Sequence, residues 1–190
     1  VGKPAAGVWT VTGAAQATGD ALSGIEAFRF GSGNDRIVLK EGRGAASLTI
    51  DGAAGDDGIY GSDGLTDVDT IIGGEGKDVI YANGGVFHAF GGSQAGLSAA
   101  WTESLADNDT LYVDRTAFDA KDTLSVNMSA STLGTLTGSD GSTARGFARM
   151  IYAGSGYDDY VQGLLGDDLI DANDGNDTLF GNTGNDQLDG

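Results

Sequence analysis

The chain has 190 residues and a formal net charge of −18, and 24 of its 28 acidic residues are aspartate. That balance weighs against a nucleic-acid partner, whose phosphates need Lys and Arg. The absence of cysteine excludes disulfides and thiolate metal sites, and no apolar run reaches membrane-spanning length. The 34 glycines and 39% apolar content describe a turn-rich chain with regularly spaced apolar residues, expected to fold once its carboxylates are neutralised.

In chain order, residues 8–12 (VWTVT) read as a half-buried strand. Residues 30–38 (FGSGNDRIV) then introduce a pattern, with Gly31, Gly33, Asp35 and Ile37. It returns at 52–60 (GAAGDDGIY) with Gly55, Asp57 and Ile59. Three extra residues lead to 64–72 (GLTDVDTII), which carries Asp69 and Ile71. The fullest copy is 73–81 (GGEGKDVIY), with Gly73, Gly74, Gly76, Asp78 and Ile80. The next unit, 82–90, places Phe87 where the aspartate belongs and reads as a metal-free coil or the edge of a site. Residues 92–106 interrupt the pattern. Leu97, Trp101 and Leu105 recur at helical spacing, so a short amphipathic helix is expected, acting as a lid. A degenerate copy follows at 105–112, with Asp109 and Leu111.

Residues 22–38 resemble 145–161, which suggests two modules, 1–113 and 114–190, joined near 114–122 or running on as one solenoid. Residues 123–128 read as a strand. The unit 153–161 (AGSGYDDYV) offers Gly154, Gly156, Asp158 and Tyr160, and Gln162 reads as a one-residue insertion. From Gly163 three nine-residue units follow in phase. Position 6 is Asp168, Asp177 and Asp186, position 4 is Gly166, Gly175 and Gly184, and position 8 is Ile170, Leu179 and Leu188. The pattern breaks off at Gly190 and reads as part of a longer chain.

A nine-residue period predicts a solenoid, because one apolar residue per unit can be buried only by stacking on neighbours. Six residues form a turn and three a strand, with position 8 inward and positions 7 and 9 outward. Glycines at positions 2 and 4 let carbonyls converge. Alternate turns fall on opposite sides of a flattened roll, so turns 18 residues apart stack. That pairs Asp168 with Asp186, Asp158 with Asp177 and, across a 21-residue gap, Asp57 with Asp78. Two carboxylates and several carbonyls make an all-oxygen site, which suits Ca²⁺ better than Mg²⁺ or zinc.

The units resemble the RTX (repeats-in-toxin) haemolysin-type repeat, GGxGxDxUx. The resemblance implies an all-β parallel β-roll, a β-solenoid of nonapeptide repeats with irregular insertions, holding calcium by aspartates and turn residues. Carried onto this chain, the aspartate ligands are Asp35, Asp57, Asp69, Asp78, Asp109, Asp158, Asp168, Asp177 and Asp186. The turn ligands are Gly55, Gly73, Glu75 and Gly76 in the first half. In the second half they are Gly154, Gly156, Gly166, Asp174, Gly175, Gly181, Thr183 and Gly184. The resemblance also implies export by a type I secretion apparatus, folding outside the cell, and a secreted or cell-surface location.

Catalysis is not expected. His88 is the only histidine, Ser32 and Ser155 lack a nucleophile elbow, and the four glutamates are too scattered for a glycosidase pair. Trp9, Trp101 and the tyrosines read as packing or lid residues rather than sugar platforms. Asp159 and Asp167 read as solvated charge, and Asn34, Asn176 and Asn185 as turn formers. The alternatives are the accessory domain of an exported hydrolase, or an adhesin or surface-layer module that binds a surface ligand or itself.

Overall fold

The computed structural model describes residues 10–12, 27–38, 48–61, 68–83, 86–92, 108–117, 123–127 and 135–190. These residues form strands and turns, with no helix among them. The strands are β1 (Thr10–Thr12), β2 (Ala27–Arg29), β3 (Arg36–Val38), β4 (Leu48–Ala54), β5 (Gly58–Tyr60), β6 (Val68–Glu75), β7 (Val79–Asn83), β8 (Val86–Gly92) and β9 (Thr110–Asp114). They continue as β10 (Thr123–Asn127), β11 (Thr135–Gly138), β12 (Thr143–Arg145), β13 (Arg149–Ala153), β14 (Tyr160–Gln162), β15 (Leu169–Asp171), β16 (Thr178–Phe180) and β17 (Gln187–Asp189). The expected helix at 92–106 lies outside the described residues except for Gly92, which ends β8.

Two sheets face each other. One has the order β1-β3-β5-β7-β9-β13-β15-β17, the other β16-β14-β10-β11-β12-β8-β6-β4-β2. The chain crosses from one to the other at almost every turn, and neighbours within a sheet are mostly parallel, so the architecture is the expected β-roll. The exceptions are β1, antiparallel to β3, and the antiparallel meander β10–β11–β12, which takes the place of one strand. Nothing in the sequence signalled that meander beyond the strand at 123–128. Because β9 pairs with both β7 and β13, one sheet runs unbroken across residue 114.

The core lies between the sheets and is built from one inward residue per short strand. Ile37, Ile59, Ile80 and Leu111 stand in register in one sheet, and Ile50, Ile71, Ala89 and Ala144 in the other. All eight are buried. Burying one such aliphatic side chain is worth about 1.5–3 kcal/mol, which no three-residue strand obtains alone. On the outer face, Tyr60, Tyr81 and Tyr112 stack along the roll, with centroids 4.1 and 5.1 Å apart, and the Arg36 guanidinium lies 4.6 Å from the Tyr60 ring centre. Tyr81 is thus covered on both faces and Tyr60 lies between Arg36 and Tyr81.

The two halves of the roll are offset. Leu111, two residues after Asp109, pairs with Met150, while Ile151 pairs with Leu169 and so brings Met150 level with Asp168. A position-8 residue of the first half therefore meets a position-6 place of the second. A cavity of about 380 Å³ opens at this step, lined by Lys77, Asn108, Thr110, Arg149 and Asp167 among others. On the opposite sheet the meander is tied in by Arg115. This guanidinium is fully buried, 3.0 Å from Asp140 Oδ2 and 3.2 Å from Ser142 Oγ, with the Phe87 ring beside it.

The register also corrects one expectation. Tyr160, Val161 and Gln162 pair with Thr178, Leu179 and Phe180. Gln162 is therefore position 9 of an unbroken unit, 154–162, and not an insertion. Val161 is its buried inward residue, in place of Tyr160.

Candidate metal centre

Along the edge where the chain passes from the longer sheet to the shorter, the position-6 aspartates form ladders. Asp57 Oδ1 accepts the backbone N–H of Asp35 at 2.8 Å, Asp78 Oδ1 that of Asp57 at 2.8 Å, and Asp109 Oδ1 that of Asp78 at 2.7 Å. Asp57, Asp78 and Asp109 are buried. The expected pairing of Asp57 with Asp78 thus becomes a column of four that includes Asp35 and Asp109. After the offset a second column begins: Met150 N–H donates to Asp168 Oδ1, and Asp168 N–H to Asp186 Oδ1 at 3.0 Å.

On the opposite edge, Asp177 Oδ1 accepts the N–H of Asp159 at 2.8 Å. The partner of Asp177 is therefore Asp159 and not Asp158, a consequence of the corrected phase. Asp158 is the exposed position-5 residue, whose carboxylate accepts the N–H of Asn176 at 2.9 Å. Position 5 makes a second ladder that points the other way. Asn34 accepts from Asp56, Asp56 from Lys77, and Asp167 from Asn185. Asp159 and Asp167 are thus structural acceptors rather than mere solvated charge. Sequence reasoning missed Asp159 because the doublet Asp158–Asp159 fits two phases, and only Val161 against Tyr160 as the inward residue separates them.

Asp69 stands apart. It is buried, and its neighbours in register are Leu48 and Phe87. Neither register neighbour is an aspartate, so Asp69 extends neither aspartate column. Phe87 is likewise a core residue. Glu75 is exposed at the end of β6, and its carbonyl accepts the N–H of Gly55 at 2.8 Å.

The turns fall into two conformations. In 52–57, 73–78, 172–177 and 181–186, positions 2 and 4 both have positive φ: Ala53 78° and Gly55 126°, Gly74 118° and Gly76 122°, Asn173 64° and Gly175 149°, Asn182 68° and Gly184 130°. In two of these turns the outer carboxylate oxygen, Asp57 Oδ2 or Asp177 Oδ2, is buried with no hydrogen-bond partner. A Cβ at Gly52 would collide with Asp57 Oδ2 and lie 2.5 Å from the Gly73 carbonyl oxygen. One at Gly73 would meet Asp78 Oδ2 and lie 2.7 Å from the Gly91 oxygen. Carboxylate and carbonyl oxygens therefore converge beside these glycines, an arrangement a bound cation would relieve.

Turns 154–159 and 163–168 differ. None of their residues has positive φ, nor has any in turn 30–35, and in 154–159 and 163–168 the position-2 N–H caps the position-6 carboxylate. Ser155 N–H donates to Asp159 Oδ2 at 2.9 Å and Leu164 N–H to Asp168 Oδ2 at 2.6 Å. Ser155 Oγ and Tyr152 Oη add further donors to Asp159. Burial pushes the Asp168 carboxyl up to about 6, against the lowering effect of the Met150 and Leu164 N–H groups, and Asp186 adds to the rise. Burial likewise raises Asp57, against the lowering Asp35 N–H.

Of the remaining expected ligands, Gly154, Gly156 and Asp174 line a cavity of about 250 Å³ with Thr116, Ser155 and Asn173. Thr183 Oγ1 donates to the Leu165 carbonyl at 2.8 Å, and the Asn173 and Asn182 amides donate to the carbonyls of Gly154 and Gly163. Among the described residues no three carboxylate or imidazole side chains gather at one point. The donor set is at most two aspartates with turn carbonyls, which fits Ca²⁺ and gives zinc no nitrogen or sulfur. Bound there, calcium would neutralise the stacked carboxylates and bridge successive coils.

A family model described as the RTX calcium-binding nonapeptide repeat matches in four copies, over residues 63–86 and 153–188. Comparison with curated proteins gives no match, and comparison with solved structures gives none.

Proposed function

From this calcium-binding β-roll of RTX repeats, we propose a module of an exported bacterial protein that stays unfolded at cytosolic calcium and folds on calcium outside the cell. Its role is structural, without catalysis of its own, within a secreted or cell-surface protein that leaves by type I secretion. The supporting observation is the column Asp35–Asp57–Asp78–Asp109, buried at its last three members, in which like charges stack at successive coils and Asp57 Oδ2 has no donor. Without a cation such a column repels itself. With calcium, each site at about 100-fold saturation adds roughly 2.7 kcal/mol. Several sites would then supply much of the ~5–15 kcal/mol that stabilises a typical domain.

Far-UV circular dichroism during a calcium titration, with magnesium and chelator as controls, tests this. A coil-to-β transition specific to calcium is expected, and full β structure in chelator would refute it. Service as the accessory domain of an exported hydrolase fits the same geometry, and the parent protein's flanking sequence would decide it. The tyrosines stack on one another, with Arg36 over Tyr60, so most of their ring faces are taken, which disfavours a sugar-binding role for this face of the roll.

A further inference from the structure

We propose that in the four C-terminal turns, 154–159, 163–168, 172–177 and 181–186, the residue at position 2 decides whether the turn is a calcium half-site or a self-capped turn that needs no ion. The proposal rests on the calcium reading above and refines it. In the two open turns of this half position 2 is Asn173 or Asn182, and both have positive φ. Asparagine adopts this conformation more readily than bulkier side chains, which crowd the following carbonyl. In the first half position 2 alone does not decide, since Ala53 has positive φ and Gly31 does not. In the open turns the position-2 N–H turns away from its own unit's carboxylate. Ala53 and Asn173 donate instead to Asp51 and Asp171, the last residues of the preceding units. The Oδ2 atoms of Asp57 and Asp177 are thereby left for a cation.

In the two capped turns position 2 is Ser155 or Leu164. Leu164 is 1% exposed and belongs to the apolar core, so a left-handed backbone here would carry both its intrinsic strain and the loss of that packing. Its N–H instead sits 2.6 Å from Asp168 Oδ2. Ser155 secures the same geometry twice, through its N–H and its hydroxyl. The capping N–H groups occupy the carboxylate oxygens that the open turns leave free.

Stacking then sorts the sites. Turns 52–57 and 73–78 are both open and adjacent in one column, and between them lies a complete site holding Asp57 and Asp78. Turn 181–186 stacks on capped 163–168, and turn 172–177 on capped 154–159. These C-terminal coils present only half of a site each, closed by protein donors on the other side. The matched repeat units are therefore not equivalent, although all of them carry the aspartate.

The experiment is isothermal titration of the whole chain with calcium chloride, for wild type, Ser155→Gly and Leu164→Asn. Ser155→Gly removes a capping hydroxyl and admits the left-handed backbone. The expected result is an additional calcium bound, or at least a tenfold gain in affinity at the C-terminal coils, for either variant. Leu164→Asn also removes a core side chain, so if it does not fold, Ser155→Gly alone decides. The reverse change at an exposed open turn, Asn173→Leu, should weaken calcium binding at the coil of Asp177 without touching any carboxylate. Wild-type binding with stoichiometry and affinity unchanged in Ser155→Gly and Asn173→Leu would overturn the proposal and leave the calcium reading standing. Wild type that binds no calcium would overturn both.

Discussion

Asp78→Asn separates calcium binding from the architecture of the ladder. Asp78 is fully buried, its Oδ1 accepts the N–H of Asp57 at 2.8 Å, and its own N–H donates to Asp109. Asparagine keeps an amide oxygen for the Asp57 N–H, so the ladder bond survives while the charge and one anionic oxygen are lost. Asp78 stands between Asp57 and Asp109, and its carboxylate belongs to the site between turns 52–57 and 73–78. At about 100-fold saturation that site adds roughly 2.7 kcal/mol in calcium, which the variant forfeits. For a chain of this size that lowers Tm by about 5–10 °C. In chelator the sign reverses, because a buried negative charge between two others has been removed, and residual β content should equal or exceed that of wild type. Thermal melts followed by circular dichroism, with calcium and with chelator, measure both. An equal loss in the two conditions would show that Asp78 serves the fold alone and would refute the reasoning.

Two further outcomes follow from particular contacts. Arg115→Met leaves Asp140 without its buried guanidinium partner, and removing one member of a buried pair costs about 3–5 kcal/mol. The lower end is expected, since Asp140 also accepts the Ser142 N–H at 2.8 Å; a loss under about 1 kcal/mol on urea unfolding in calcium would contradict it. The second concerns pH in the absence of calcium. The folded chain holds the Asp168 carboxyl at about 6, above its ordinary value of 3.8. The folded state therefore binds that proton more tightly, and the resulting stability is fully present below the ordinary value and lost as pH rises through about 6. Chelated protein should show more β structure near pH 5 than near pH 7.5, with a smaller difference in Asp168→Asn. A rise in β content across that interval would oppose it.

The repeat was legible because its physics is local. A nine-residue period with one inward aliphatic and one aspartate dictates short strands, alternating faces and stacked carboxylates, and the structure shows them at Ile59 and Ile80 and at Asp57 and Asp78. Phase was less secure where residues repeat. The Asp158–Asp159 doublet reads equally well in either phase, and pairing of Val161 with Leu179 settled it. Asp69 keeps the phase of the motif without its position-4 glycine, and its neighbours in register are Leu48 and Phe87, which come from coils of different spacing.

What the sequence determined by itself was the unit: the turn, the strand, the inward residue and the all-oxygen chemistry that asks for calcium. Only the tertiary structure decided which units meet. The offset between β9 and β13 and the seating of the meander against β8 depend on strands whose paired residues are 39 and 55 positions apart. Each coil can satisfy its own backbone in more than one way, and the neighbouring coil supplies the N–H, the carbonyl or the apolar face that selects among them.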